Sequence, residues 1–336
     1  MYDSFSAHLM PLINSSFAPG QAQATVDAFQ DPDQRQIAQA ELYYFSGRAQ
    51  ECRNIVELYL QDKDLCLRLS AGLLYSFSNL TLGNPSASRM GFRNIQECLR
   101  LAEENSASEE VIASCVFAGY LATVLMHLPA DGLPPLKDFL PYLPAGIRAY
   151  AIYILAHNAY LNEEYERALG LCQSVFLMLD GCYPIAMEYL YCVIIMCLNN
   201  QKKHEKAREI LMKAWNMAKP DGFLEPFIEH HGLMLGQIEA CIKPTEPENY
   251  KRLSQAVIAF SRGWMDIHNP QLQSSVTDKL TPMEFSIAML ASKGWTNQEI
   301  ADHLSMSVNT IKHYLSRIFQ ILGVEKREEL KPFVNK

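Results

Sequence analysis

The chain has few of the features on which catalysis is built. It contains no GxSxG, HExxH or GxGxxG motif, and no GxxxxGK[ST] phosphate loop. Hydrolase, zinc-protease, dinucleotide and nucleoside-triphosphate chemistries therefore lose their usual sequence support. Its nine cysteines, at 52, 66, 98, 115, 172, 182, 192, 197 and 241, include no CxxC pair. An odd number of thiols set in apolar helical runs reads as buried and reduced rather than as a disulfide framework, with redox sensing as the alternative. The start, MYDSFSAHLM, has neither the basic beginning nor the apolar centre of a signal peptide. One run, Val111–Ala130, carries no Lys, Arg, Asp or Glu. It is long enough to span a bilayer, but it contains Ser114, Tyr120, Thr123 and His127 and is flanked by acids. It reads as a buried helix, and no membrane contact is expected.

Positive charge is also short. With 29 Lys and Arg against 37 Asp and Glu, the net charge is −8. The deficit is uneven. Residues 277–336 hold eight basic and seven acidic side chains, net +1, while residues 1–276 hold 21 and 30, net −9. The N-terminal part should therefore avoid nucleic acid. The C-terminal part should bind it weakly alone and gain from dimerisation, since phosphate neutralisation supplies most nonspecific affinity.

The strongest positive signal is Leu280–Leu330, where three helix starts follow one another. Thr281 with Glu284 forms a capping box ahead of Pro282 at the first helical position. Thr296 with Glu299 forms a second, opening a helix over 297–304. Ser307 caps a third helix, ended by Gly323. In that helix Val308, Ile311, Leu315, Ile318 and Leu322 recur at steps of three and four and make one buried stripe. Asn309, Lys312, His313, Ser316, Arg317 and Gln320 must then face outward. A helix–turn–helix unit whose last helix has an apolar back and a polar front suits the DNA major groove. There Lys312 reaches guanine O6 or N7, and His313 and Ser316 can bond base edges or phosphates. Ser307, Thr310 and Arg317 complete this expected face. Thr296, Asn297 and Gln298 open the preceding helix and suit phosphate contacts. A short fourth helix is expected over 326–334.

The segment Asp278–Val334 resembles the LuxR/NarL-type DNA-binding domain. The family's LTPRE stands as Leu280-Thr281-Pro282-Met283-Glu284, its LAxGxSNKEIA as residues 290–301, and its SxxTVKxHxxxIxxKLGV as residues 307–324. Three departures matter. Met283 and Phe285 replace polar residues, which predicts the loss of a surface salt bridge that the family carries. Tyr314 stands where His is common. Gln320-Ile321 replaces a frequent basic pair, which removes positive charge near the duplex.

The remainder reads helical throughout, punctuated at Pro19-Gly20, Asp31-Pro32, Asn84-Pro85, Pro129–Pro135, Pro144, Gly181–Pro184, Pro220–Gly222 and Pro244–Pro247. No alternating strand pattern occurs. Residues 152–184 and 191–220 look alike at an offset of 39, each a helix pair with a small residue, Ala168 or Ala207, at the crossing. A weaker copy surrounds Gly47. Helix pairs bury their faces by stacking, so a superhelix with a concave groove is expected. These segments resemble tetratricopeptide repeats. Asp221–Gly232 resembles the last repeat of the large ATP-dependent LuxR regulators, whose ATP dependence does not carry over without a phosphate loop. A response-regulator receiver, which needs alternating strands and helices, is absent.

Tyr150, Tyr153, His157 and Tyr160 fall near one helical side. They are a candidate lining for a ligand groove, set against a plain packing role. His230-His231 points apart on a helix and reads as packing rather than as a metal site, and the methionine-rich stretches read as core filler. The expectation is an all-α cytoplasmic bacterial regulator without cofactor or metal. Residues 1–270 would form a tetratricopeptide-like helical-repeat superhelix, 271–276 the linker within the polar stretch His268–Val276, and 277–336 a four-helix LuxR-type DNA-binding domain. Its expected partners are double-stranded DNA, bound as a homodimer, and a small-molecule or protein effector at the repeats.

Overall fold

The computed structural model describes residues 8–105, 107–124, 126, 132–268 and 280–334. The expected linker, 271–276, and the end of the apolar run, 125 and 127–130, lie outside the described residues. Among the described residues there are helices and no strands.

The body comprises α1 (Ala22–Ala28), α2 (Pro32–Phe45), α3 (Ala49–Val56), α4 (Leu65–Thr81), α5 (Pro85–Glu104), α6 (Glu109–Val124), α7 (Ala145–Leu161), α8 (Tyr165–Met178), α9 (Pro184–Asn200), α10 (His204–Ala218), α11 (Glu225–His230), α12 (Gln237–Thr245) and α13 (Pro247–His268). Proline sits at the first position of α2, α5, α9 and α13, where its missing N–H costs nothing. The C-terminal unit comprises α14 (Pro282–Ser292), α15 (Asn297–Leu304), α16 (Val308–Leu322) and the short α17 (Lys331–Val334).

Four hairpins of the body share one turn. α2/α3, α4/α5, α7/α8 and α9/α10 are each joined through a left-handed residue: Gly47 (φ 72°), Gly83 (φ 69°), Glu163 (φ 62°) and Lys202 (φ 58°). In each, the amide after that residue bonds a carbonyl five residues back: Arg48 N to Tyr43 O, Asn84 N to Asn79 O, Glu164 N to Ala159 O, Lys203 N to Leu198 O. This closure satisfies orphan carbonyls at a helix end and sends the chain back along itself. The offset of 39 seen in sequence is the spacing of Glu163 and Lys202. The α4/α5 hairpin is a further copy that the sequence pattern did not disclose. Ala168 and Ala207 are both fully buried at their crossings.

Neighbouring hairpins pack in chain order, α3 on α4, α5 on α6, α6 on α7 and α8 on α9, while α13 returns across α4. α7 and α9 are buried nearly all round, as helices apolar on every side must be. The described part of the apolar run forms α6, packed on α4, α5 and α7. No helix among the described residues is long and apolar enough to cross a membrane. Seven of the nine thiols are buried, and Cys182 and Cys241 are half-buried.

Two apolar cores result. One runs through the body from Leu9 to Phe260. The other holds the C-terminal unit together from Leu280 to Leu330, and it takes in one residue of the body, Leu235.

Candidate nucleic-acid interface

All three expected caps form. The Thr281 and Thr296 hydroxyls accept from the Glu284 and Glu299 amides, and each glutamate reaches back to its threonine amide. The Ser307 hydroxyl accepts from Thr310 N at 3.1 Å, and Gly323 closes α16 at φ 69°. Ile311, Leu315 and Ile318 are buried on α14 and α15, while Val308 and Leu322 at the ends of the stripe are half-buried.

The opposite face of α16 is open. Ser307, Asn309, Thr310, Lys312, His313, Ser316, Arg317 and Gln320 are all exposed. Arg317 is tethered, since its Nε lies 3.0 Å from Glu284 Oε1, a carboxylate 1% exposed. The unit therefore keeps an ion pair despite Met283 and Phe285.

The start of α15 is more occupied than its sequence suggests. The Thr296 amide is held by Glu299 Oε2 at 2.7 Å. Asn297 is half-buried and accepts from Arg327, and Gln298 Nε2 donates to Asp302 Oδ1 at 2.8 Å. Thr296 and Gln298 are exposed beside these bonds.

The sequence reading missed the seat of this unit on the body. Arg208 of α10 points its Nη2 at the C-terminal end of α15, toward Asp302 O at 3.0 Å, His303 O at 2.7 Å and Ser305 Oγ at 2.9 Å. Carbonyls at a helix C-terminus carry the negative end of the helix dipole and have lone pairs to spare, so a guanidinium from outside is held there. Lys202 Nζ donates to Glu299 Oε1 at 2.5 Å and, with the capping bonds, pulls that carboxyl down to about 2. His303 is fully buried at the seam. Its Nε2 lies 2.7 Å from the Leu235 carbonyl, which only accepts, so Nε2 carries the proton. Its Nδ1 faces Gln237 Nε2 and His204 Nδ1. Burial first, then His204, pushes the His303 pKa down to about 3 and keeps the ring neutral.

Leu235 (φ 54°) and Gly236 (φ 83°) form the turn that enters the unit. A Cβ on Gly236 would stand 2.4 Å from Leu304 Cδ2 and 3.3 Å from Ser286 Cβ. Phe285 packs against Gly232 of the body, and Met283 is buried. α14 is therefore covered on both sides. The two departures from the family's polar pattern were the available signal: apolar residues at 283 and 285 meet other protein.

The candidate groove residues sit in the core. Tyr150, Tyr153, His157 and Tyr160 are all buried, and Tyr150 lines a small cavity with Tyr44 and Glu229. α8 and α9 pack on α7, and the rings enter a cluster with Tyr189 and His230. His230 bonds Tyr153 and the Pro226 carbonyl, and His231 bonds Glu239 at 2.7 Å. No cluster of His, Cys, Asp and Glu able to hold a metal occurs among the described residues.

Comparison with known proteins agrees with the geometry of the C-terminal unit. Residues 278–333 match the family model described as bacterial regulatory proteins, luxR family. The chain is similar to the HTH-type transcriptional regulator MalT of Serratia proteamaculans (strain 568), 26% identical over 155 residues, which is 40% of this chain and 17% of the relative. It is also similar to the regulator of the same name from Klebsiella pneumoniae (strain 342), 24% identical over 143 residues, 38% of this chain and 16% of the relative. The matched stretch thus spans about a sixth of these relatives. No solved structure matches. The C-terminal unit of this chain is a LuxR-family helix-turn-helix domain.

Proposed function

We propose that this chain is a sequence-specific DNA-binding regulator of transcription whose helical body, residues 1–270, senses a small molecule and governs the DNA-binding domain, residues 277–336. The observation that carries this reading is the exposed polar face of α16, backed by a capped and packed helix pair. In this reading α16 enters the major groove with Lys312, His313 and Ser316 toward base edges. Asn309, Thr310 and Arg317, with Ser307 and the start of α15 at Thr296–Gln298, meet phosphates. The repeated hairpin turn supports reading the body as tetratricopeptide-like. The domain's charge of only +1 supports binding as a homodimer, since one copy alone neutralises few phosphates.

Lys312 is exposed and forms no part of the core, so Lys312→Ala should leave the fold intact. Its DNA affinity should fall about tenfold or more, as expected for loss of one base contact. Unchanged affinity in an electrophoretic shift, with unchanged circular dichroism, would refute the assignment of α16 as the reading helix.

A second reading has the body as a scaffold for a protein partner. Its support is a pair of apolar side chains at the end of α8, Leu177 and Met178, which are 87% and 66% exposed. Co-purification of a partner lost on L177S/M178S would favour it.

A further inference from the structure

We infer that the body itself touches DNA: Lys203 and Lys206, at the start of α10, meet the phosphate backbone next to the phosphates engaged by the start of α15. This rests on the regulator reading above and adds to it a surface outside the DNA-binding domain.

The first observation is a segregation of charge. The body is acidic as a whole, yet residues 202–219 hold six basic and two acidic side chains, net +4. The rest of residues 1–276 holds 15 basic and 28 acidic, net −13. The basic stretch is α10 with the turn before it, the same element that seats the domain through Lys202 and Arg208.

Most of these charges already have work. Lys202 pairs with Glu299, Arg208 with Glu205 and the end of α15, and Lys219 with Glu246. Lys213 lies over the Tyr191 ring. Lys203 and Lys206 are different. Both are exposed, and among the described residues neither forms an ion pair. Lys203 Nζ donates to Gln201 Oε1 at 2.6 Å, a neutral partner that leaves the charge whole.

The second observation is position. Lys202, just before α10, reaches Glu299 in the first turn of α15, and Arg208 reaches the last carbonyls of α15. The two helices therefore run side by side in one direction, start beside start. Further contacts fix the turn there. Lys293 Nζ donates to Asn200 Oδ1 at 3.0 Å, and the His204 and Trp295 rings lie 5.0 Å apart. Thr296 and Gln298, exposed at the start of α15, are the side chains assigned to phosphates above. The start of α10 thus continues that edge.

The chemistry of the partner follows. Duplex DNA carries one negative charge per roughly 1.7 Å of its axis, so a basic element beside a phosphate-contacting helix start finds the next phosphates. Lysine serves there as a point charge that needs no fixed geometry. The contact is short, because acidic side chains begin just behind the turn. Glu166 accepts from Gln201 Nε2 at 2.8 Å, and Glu163 faces Lys293. These two lysines also ease the charge shortage of the domain, whose own net charge is +1.

The test is the salt dependence of DNA binding by the full-length chain, read by fluorescence anisotropy on a mixed-sequence duplex of about 30 base pairs. Lys203→Ala/Lys206→Ala should make the slope of log K against log salt shallower by about two and raise Kd about tenfold near 0.1 M salt. Both side chains are exposed and unpaired by acids, so circular dichroism should not change. The control is Lys63→Ala/Lys137→Ala, which alters net charge equally in the α3–α4 and α6–α7 connections, where both lysines are exposed. It should keep the wild-type slope. A slope unchanged in Lys203→Ala/Lys206→Ala, or lowered equally in the control, would overturn the inference while the regulator reading stands. A wild-type chain that binds no duplex even at low salt would remove both.

Discussion

Replacing Gly236 by alanine should unseat the DNA-binding domain from the body while both remain folded. Two effects add. Alanine at φ 83° costs roughly 1 kcal/mol more than glycine. The new methyl would also meet Leu304 and Ser286, both of which belong to the domain, at 2.4 and 3.3 Å. Neither side chain has room to retreat, since both are buried. Arg208→Ala should act in the same direction by removing a charged donor from two helix-end carbonyls, a loss of about 1.5–3 kcal/mol. Hydrogen exchange reads the result directly. Protection should fall in residues 231–240 and 299–305, at the seam, and persist at Ile311–Ile318, the interior of α16. Exchange unchanged at the seam in both variants would show that these contacts do not hold the domain.

Stability should fall as pH rises from about 6.5 to 8. Burial raises Glu41 to about 8 and Glu229 to about 7, and it lifts Glu188 and Glu225 well above the usual carboxylate range. A carboxyl whose folded pKa is raised binds its proton more tightly when folded. Its stabilisation is complete below the unfolded value, near 4.5, and is lost as pH climbs through the folded value. Each such group that is still protonated contributes a slope of about 1.4 kcal/mol per pH unit. Below 6.5 the buried His303 opposes this. Its depressed pKa means that the unfolded chain takes up a proton that the folded chain refuses, so stability is lost as pH falls toward about 3. His204 at the same seam is shifted the same way by burial. Denaturant titrations at pH 6.5 and 8 should show the fall, and Glu41→Gln and Glu229→Gln should each flatten it. Stability that rises between those two values would contradict the assignment of protonated carboxyls to the core.

What the sequence disclosed and what it hid divide along a physical line. Capping boxes at Thr281 and Thr296, the stripe from Val308 to Leu322, and prolines at helix starts act over a few residues, so they were legible. The hairpin at Gly47 was visible because its turn is local. The α4/α5 copy escaped because Gly83 is followed by a helix with its own apolar spacing. Long-range consequences were hidden. Tyr150, Tyr153, His157 and Tyr160 looked like a groove lining because their helix was considered alone, whereas α6, α8 and α9 close over it. Arg208 looked like a solvated charge on a repeat, and only folding brings it against α15, nearly a hundred residues later. Met283 and Phe285 did mark the docking face, but as departures from a pattern rather than as a surface with a partner.

The central claim is that α16, presented by a domain seated on an acidic body, reads a DNA sequence. Selection of bound duplexes from a random pool by the full-length chain at moderate salt tests it most directly. The account expects enrichment of one motif arranged as an inverted repeat, with enrichment lost in Lys312→Ala. An unenriched pool from a folded full-length chain, indistinguishable from that of Lys312→Ala, would contradict it.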